Sequence, residues 1–170
     1  MTRTIKTNNE LRNKHAKSKQ KGAMSLEAMA ILSGVIVTLL FIVSKGPAIM
    51  YKINTTMFMS QAAEIAQAAQ GRPNLASLTI PKLCERDALS KKICGAANNG
   101  VGTNPFGGDW VLKGNASSVA LVDLTATLPN DANRVLDLAD YMAPSTRAGC
   151  ESADGCSTIK TTATSIIMTY

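Results

Sequence analysis

The chain has one histidine, His15, and it lies within the first 22 residues. If that segment is removed, the remaining chain has no imidazole. A Ser-His-Asp triad and every zinc site with a histidine ligand are then excluded. The G-x-S-x-G, P-loop and H-E-x-x-H motifs are absent. Asp123, Asp131, Asp137 and Asp140 are scattered or lie on a helix face, where solvated charge explains them. These absences predict no enzymatic activity, no metal and no cofactor. Aromatic residues are also scarce, at 4% of the chain. A core must therefore be built mainly from Ala, Val, Leu, Ile and Met. No internal repeat is present.

Net charge is missing too, from all but one segment. The chain holds 18 basic and 12 acidic side chains. Arg3, Lys6, Arg12, Lys14, Lys17, Lys19 and Lys21, against Glu10, lie in residues 1–22, which leaves eleven of each sign beyond them. The body has no overall attraction for phosphate, which argues against nucleic-acid binding. Residues 1–22 lack apolar periodicity and read as a disordered segment or a basic targeting leader.

An apolar run follows, "AMSLEAMAILSGVIVTLLFIVS" from Ala23 to Ser44. It is too long for the apolar region of a cleaved secretory signal. As a helix its 22 residues extend about 33 Å, enough to cross roughly 30 Å of hydrocarbon. The basic flank predicts a cytoplasmic N-terminus and a translocated body. Gly46-Pro47 comes next, and proline there predicts a kink without requiring a stop.

Helical spacing continues through residues 48–70. Ile49, Ile53 and Met57 form one apolar stripe, and Phe58, Ala62, Ile65, Ala66 and Ala69 form another. Gly71-Arg72-Pro73 ends the helix. The second half is thus amphipathic and needs the rest of the chain to cover it. Residues 81–94 read as a short helix and 95–108 as a loop. Strands are expected at 109–114, at 118–128 and, as one final strand, at 157–170. A short helix over 129–142 is expected behind an Asn/Asp cap, with Val135, Leu136, Leu138 and Ala139 as its apolar residues. Strands after one long helix make the class α+β, a long helix on a mostly antiparallel sheet. The expected divisions are 1–22, 23–45, 46–71 and a head at 72–170.

Cys84, Cys94, Cys150 and Cys156 are the cysteines. In an oxidising compartment an even number implies two disulfides. The local pairs, Cys84 with Cys94 and Cys150 with Cys156, are the simplest, and the two crossed connectivities remain open. A four-thiolate zinc site is disfavoured, because nine and five intervening residues depart from the C-x2–4-C spacing. No C-x-x-C is present, which argues against a thioredoxin-like centre.

Glu27 is the one carboxylate in the apolar run. Placing its charge in hydrocarbon costs about 2.5 kcal/mol or more. A cut after Gly22 would create an α-ammonium on Ala23, four residues before Glu27. Within a chain that pair would partly neutralise the first turn, and between chains it would set the register of adjacent helices. The alternative is Glu27 at the membrane surface, favoured by the helix dipole.

A basic leader ending in Lys21-Gly22, a glutamate five residues after that glycine, and an apolar helix of some twenty residues resemble the type IV prepilin signature. The motif covers about 25 residues, and the architecture matches the whole chain loosely. A leader of 22 residues and a first mature residue other than phenylalanine resemble the type IVb subgroup. The resemblance implies cleavage between Gly22 and Ala23 by a prepilin peptidase, N-methylation, and a role for Glu27 in assembly. It also implies a precursor held in the inner membrane, extraction by assembly machinery, bending of the helix at Gly34 and Gly46-Pro47 as it leaves lipid, and self-polymerisation into an extracellular filament. Loops near 95–108 and 144–156 are then candidates for subunit or host contacts. A minor pilin, a secretion pseudopilin and a signal-anchored surface protein are the rival readings.

Overall fold

The computed structural model describes residues 25–170. Helix α1 runs Leu26–Ala69, and the chain divides into two compact units between Lys45 and Gly46. The described part of the first unit, 25–45, is one turn after another of α1 with every residue exposed. The second unit, Gly46–Tyr170, folds the rest of α1 together with the head.

In the second unit α1 meets a four-stranded sheet. The strands are β1 (Trp110–Gly114), β2 (Val122–Thr127), β3 (Ile159–Thr161) and β4 (Ser165–Thr169). Their spatial order is β1-β2-β4-β3, and every pairing is antiparallel. The fold is therefore α+β, as the sequence predicts. Alternation along β1 and β2 sends Trp110, Leu112, Val122, Leu124 and Ala126 inward. The register places Leu112, Leu124, Met168 and Ile159 side by side across all four strands. Phe58, Ala62, Ile65 and Ala69 of α1 join these residues in one buried core. Four of the few aromatic rings form a file through it: Tyr51 to Phe106 at 5.9 Å, Phe106 to Phe58 at 5.7 Å, Phe58 to Trp110 at 4.7 Å. The Arg134 guanidinium caps the file, 4.0 Å from the centre of the Tyr51 ring.

Four expectations need correction. Residues 118–128 are not all strand, since β2 starts at Val122 and the segment before it is a turn. Asn115 makes that turn by accepting the Ser117 and Ser118 amides at 2.8 and 3.0 Å, which leaves Val119 exposed. The final stretch is a hairpin, β3 and β4, and not one strand. Its turn rests on hydroxyls, with Thr162 and Ser165 side chains 2.7 Å apart and the Thr162 amide bonded to the Ser165 carbonyl at 2.9 Å. Residues 81–94 form two helices, α2 (Ile80–Cys84) and α3 (Lys91–Cys94), separated at Asp87, whose φ of 51° is left-handed. Helix α4 (Val135–Met142) lacks the expected side-chain cap: a 3-10 turn over Ala132–Arg134 precedes it, and Leu136 is exposed.

The end of α1 follows its sequence signal. Gly71 takes a φ of 72°, which a side chain would resist. The Arg72 Nε donates to the Ala68 carbonyl at 2.6 Å and satisfies a terminal acceptor.

Candidate functional site

Helix α1 carries most of the residues singled out from the sequence. Gly22 and Ala23 lie outside the described residues. Ser25 caps the helix, its Oγ accepting the Ala28 amide at 3.2 Å. The sequence reading overlooked this cap, although serine directly before an apolar periodic run is a recognised start signal. Glu27 occupies the first turn and is exposed. A carboxylate there is stabilised by the helix dipole, typically by about 0.3–1 kcal/mol at an exposed site.

Among the described residues α1 is the one helix long and apolar enough to cross a membrane. No residue of the qualifying window is buried. Leu32, Ile36, Val37, Leu40, Phe41 and Ile42 are all exposed and point to every side of the helix, so the apolar surface runs all round the first half. Ser33, Thr38 and Ser44 do not interrupt it. Their hydroxyls bond back to the carbonyls of Ala30, Gly34 and Phe41 at 2.8–2.9 Å, which hides their polarity within the helix. Gly34, Gly46 and Pro47 all lie inside the uninterrupted helix, and a Cβ added to either glycine would meet nothing within 4 Å.

The second half of α1 separates its two stripes. Phe58, Ala62, Ile65, Ala66 and Ala69 are buried against the sheet. Ile49, Ile53 and Met57 are 55%, 47% and 40% exposed, and Met50 and Met59 are exposed beside them. The head covers one stripe and leaves the other open.

The head is closed by local bonds. Cys84 pairs with Cys94, and Cys150 with Cys156, which settles the connectivity in favour of the local pairs. Loops of this size stabilise by about 2–4 kcal/mol each. Glu64 on α1 accepts both the amide and the hydroxyl of Ser90, fastening the first disulfide segment to the helix. The loop at 95–108 is held by buried Asn104. Its Oδ1 accepts the Phe106 and Gly108 amides at 2.9 and 3.0 Å, and its Nδ2 donates to the Thr127 carbonyl at 2.7 Å. Val101, 60% exposed, is the large apolar residue that this loop presents outward. Among the described residues no three His, Cys, Asp or Glu side chains converge as a metal site would need.

Comparisons with protein-family models, with curated proteins and with solved structures find no match.

Proposed function

We propose that this chain is the structural subunit of a type IV pilus of the IVb kind, polymerising into surface filaments that serve adhesion, aggregation or mating contact. The observation that carries the reading is the open stripe Ile49, Ile53 and Met57. A helix that only anchors a head in lipid needs apolar surface for the span. The run ending at Ser44 already suffices for that. Apolar residues left exposed beyond it call for a protein partner. Neighbouring copies of α1 supply one, and burial at about 25 cal/mol per Å2 holds such a bundle without covalent links.

In this reading the basic leader keeps the precursor in the inner membrane with its N-terminus in the cytoplasm. A prepilin peptidase removes residues 1–22, and the new Ala23 ammonium meets Glu27 of an adjacent copy. Inner-membrane assembly machinery then moves the helix from lipid into the filament, with Gly34, Gly46 and Pro47 as places where it yields. The two disulfides suit a head that folds outside the cytoplasm.

Mass spectrometry of filaments sheared from the producing cell tests the reading. The expected N-terminal peptide begins at Ala23, and this chain is the abundant component. A protein that begins at Met1 and stays in the membrane fraction is a signal-anchored protein, and the proposal fails. A trace amount of the Ala23 form identifies a minor pilin or pseudopilin instead.

A further inference from the structure

Beyond residue 22 the chain holds as many acids as bases, but the second unit spreads them unevenly. Lys82, Arg86, Lys91 and Lys92 are exposed on the segment from α2 to α3. Glu85 and Asp87 are the acids on that segment, and Glu64 of α1 lines the same recess as Lys91 and Lys92. α2 packs against β1, one edge of the sheet. Asp137, Asp140, Glu151 and Asp154 are exposed on α4 and on the loop closed by Cys150 and Cys156. Arg147 is the base among them, and Lys160 of β3 borders the group. α4 packs against β3 and β4, at the other edge. Three strand spacings, about 14 Å of sheet, separate the two edges before any side chain is counted.

The acidic edge has a shaped recess. A cleft of about 350 Å3 is lined by Leu136, Asp140, Ala153, Asp154, Ile159 and Thr161. Asp140 is fixed at its wall by the Ala153 amide, which donates to it at 2.8 Å. Leu136 and Ile159 provide apolar wall, and Asp140 and Asp154 provide carboxylates. A lysine suits both, because its methylene stem packs on apolar surface while its ammonium seeks charge.

We propose that Lys91 and Lys92 on α3 of one copy dock into this cleft between α4 and the 150–156 loop of the next copy. The inference rests on the pilin reading and assigns its head-to-head contact. Opposite edges of one sheet cannot reach each other within a chain. Two different patches that fit each other form a heterologous contact, which repeats without closing unless the rotation happens to complete a ring. An open filament requires contacts of that kind. The pairing also selects one orientation of neighbouring heads, since the reverse approach sets like charges together.

The test uses the full chain in the cell that makes the filament. Lys91→Glu with Lys92→Glu, and Glu151→Lys with Asp154→Lys, each remove the complementarity and spare the Asp140 hydrogen bond. Either double variant is expected to lower filament yield about tenfold. Combining all four substitutions restores opposite signs everywhere but at Asp140 and is expected to recover much of the lost yield. Carbodiimide treatment of wild-type filaments is expected to join Lys91 or Lys92 to Asp140, Glu151 or Asp154 of another copy. Unchanged yield in a double variant, no rescue by the fourfold exchange, or no such cross-link overturns the contact. Wild-type filaments that begin at Ala23 and show none of these effects leave the pilin reading standing and remove only this contact.

Discussion

Gln61 on α1 accepts a hydrogen bond from the Trp110 indole of β1 at 3.0 Å, with both residues buried. This one bond joins the helix to the sheet at the centre of the core. It also explains how a glutamine sits on the buried face of α1 between Phe58 and Ala62. An indole N–H taken out of water needs an acceptor, and the helix supplies it.

Gln61→Leu removes that acceptor and leaves the indole donor unpaired. The expected cost is about 1–3 kcal/mol. Denaturant unfolding of the wild type and variant, with disulfides intact, measures it. In the Trp110→Phe background the same substitution is expected to cost much less, since no donor remains to be stranded.

Gly108→Ala is expected to destabilise the head by about 3 kcal/mol. A Cβ at this position would stand 2.0 Å from the Thr127 carbonyl oxygen, which is backbone and cannot swing aside. The loop at 95–108 would have to lift from the end of β2. Thermal unfolding measures the loss, and greater proteolytic cleavage within 95–108 locates it.

Tyr170 gives the head a dependence on alkaline pH. Burial pushes its phenol above the ordinary value of 10.0, and the weak Ser145 contact opposes this only in part. The folded state therefore prefers the neutral phenol. Its contribution is complete below about pH 10 and is lost as pH rises through the folded value. Wild-type stability is expected to fall more steeply above pH 10 than that of Tyr170→Phe, with the two close at pH 7. Short unfolding measurements across this range check it.

Ile53→Lys combined with Met57→Lys tests the open stripe. Both side chains are substantially exposed, so the unfolding free energy of the head is expected to change by no more than about 0.5 kcal/mol. Filament assembly is expected to collapse, because two charges would enter an apolar interface. Normal filaments from this variant would remove the stripe from the assembly surface.

Glu27→Ala is expected to leave membrane insertion intact and to reduce assembly. Membrane fractionation reads the first and the yield of sheared filaments reads the second. Normal yield would sink the pairing of Glu27 with the Ala23 ammonium and leave Glu27 as a residue stabilised by its place in the first helical turn.

Much of the fold is legible from local pattern. The two halves of α1 differ in periodicity, and the glycine-arginine-proline stop at 71–73 agrees with where the helix ends. Trp110–Gly114 alternates as a half-buried strand should. The misreadings fall where turn chemistry is quiet. Thr162 and Ser165 turn the chain with hydroxyls, without the glycine, proline or asparagine that usually marks a hairpin. At Asn115 the marker was present, but the apolar residues after it carried the strand reading too far. The fixed conformation of the 95–108 loop was illegible, because Asn104 exerts it through contacts with Thr127, 23 residues away.

Neighbours along the chain fix the membrane-length apolar helix, the confinement of excess positive charge to residues 1–22, and the alternation of the strands. Which cysteines pair, which apolar stripe of α1 is covered, and where the charged groups of the head stand depend on packing between distant segments. The physical reason is that helix and strand periods follow from the geometry of a single segment. Pairing, coverage and charge placement depend on which distant segments meet, and the core that joins Phe58, Trp110 and Ile166 sets that.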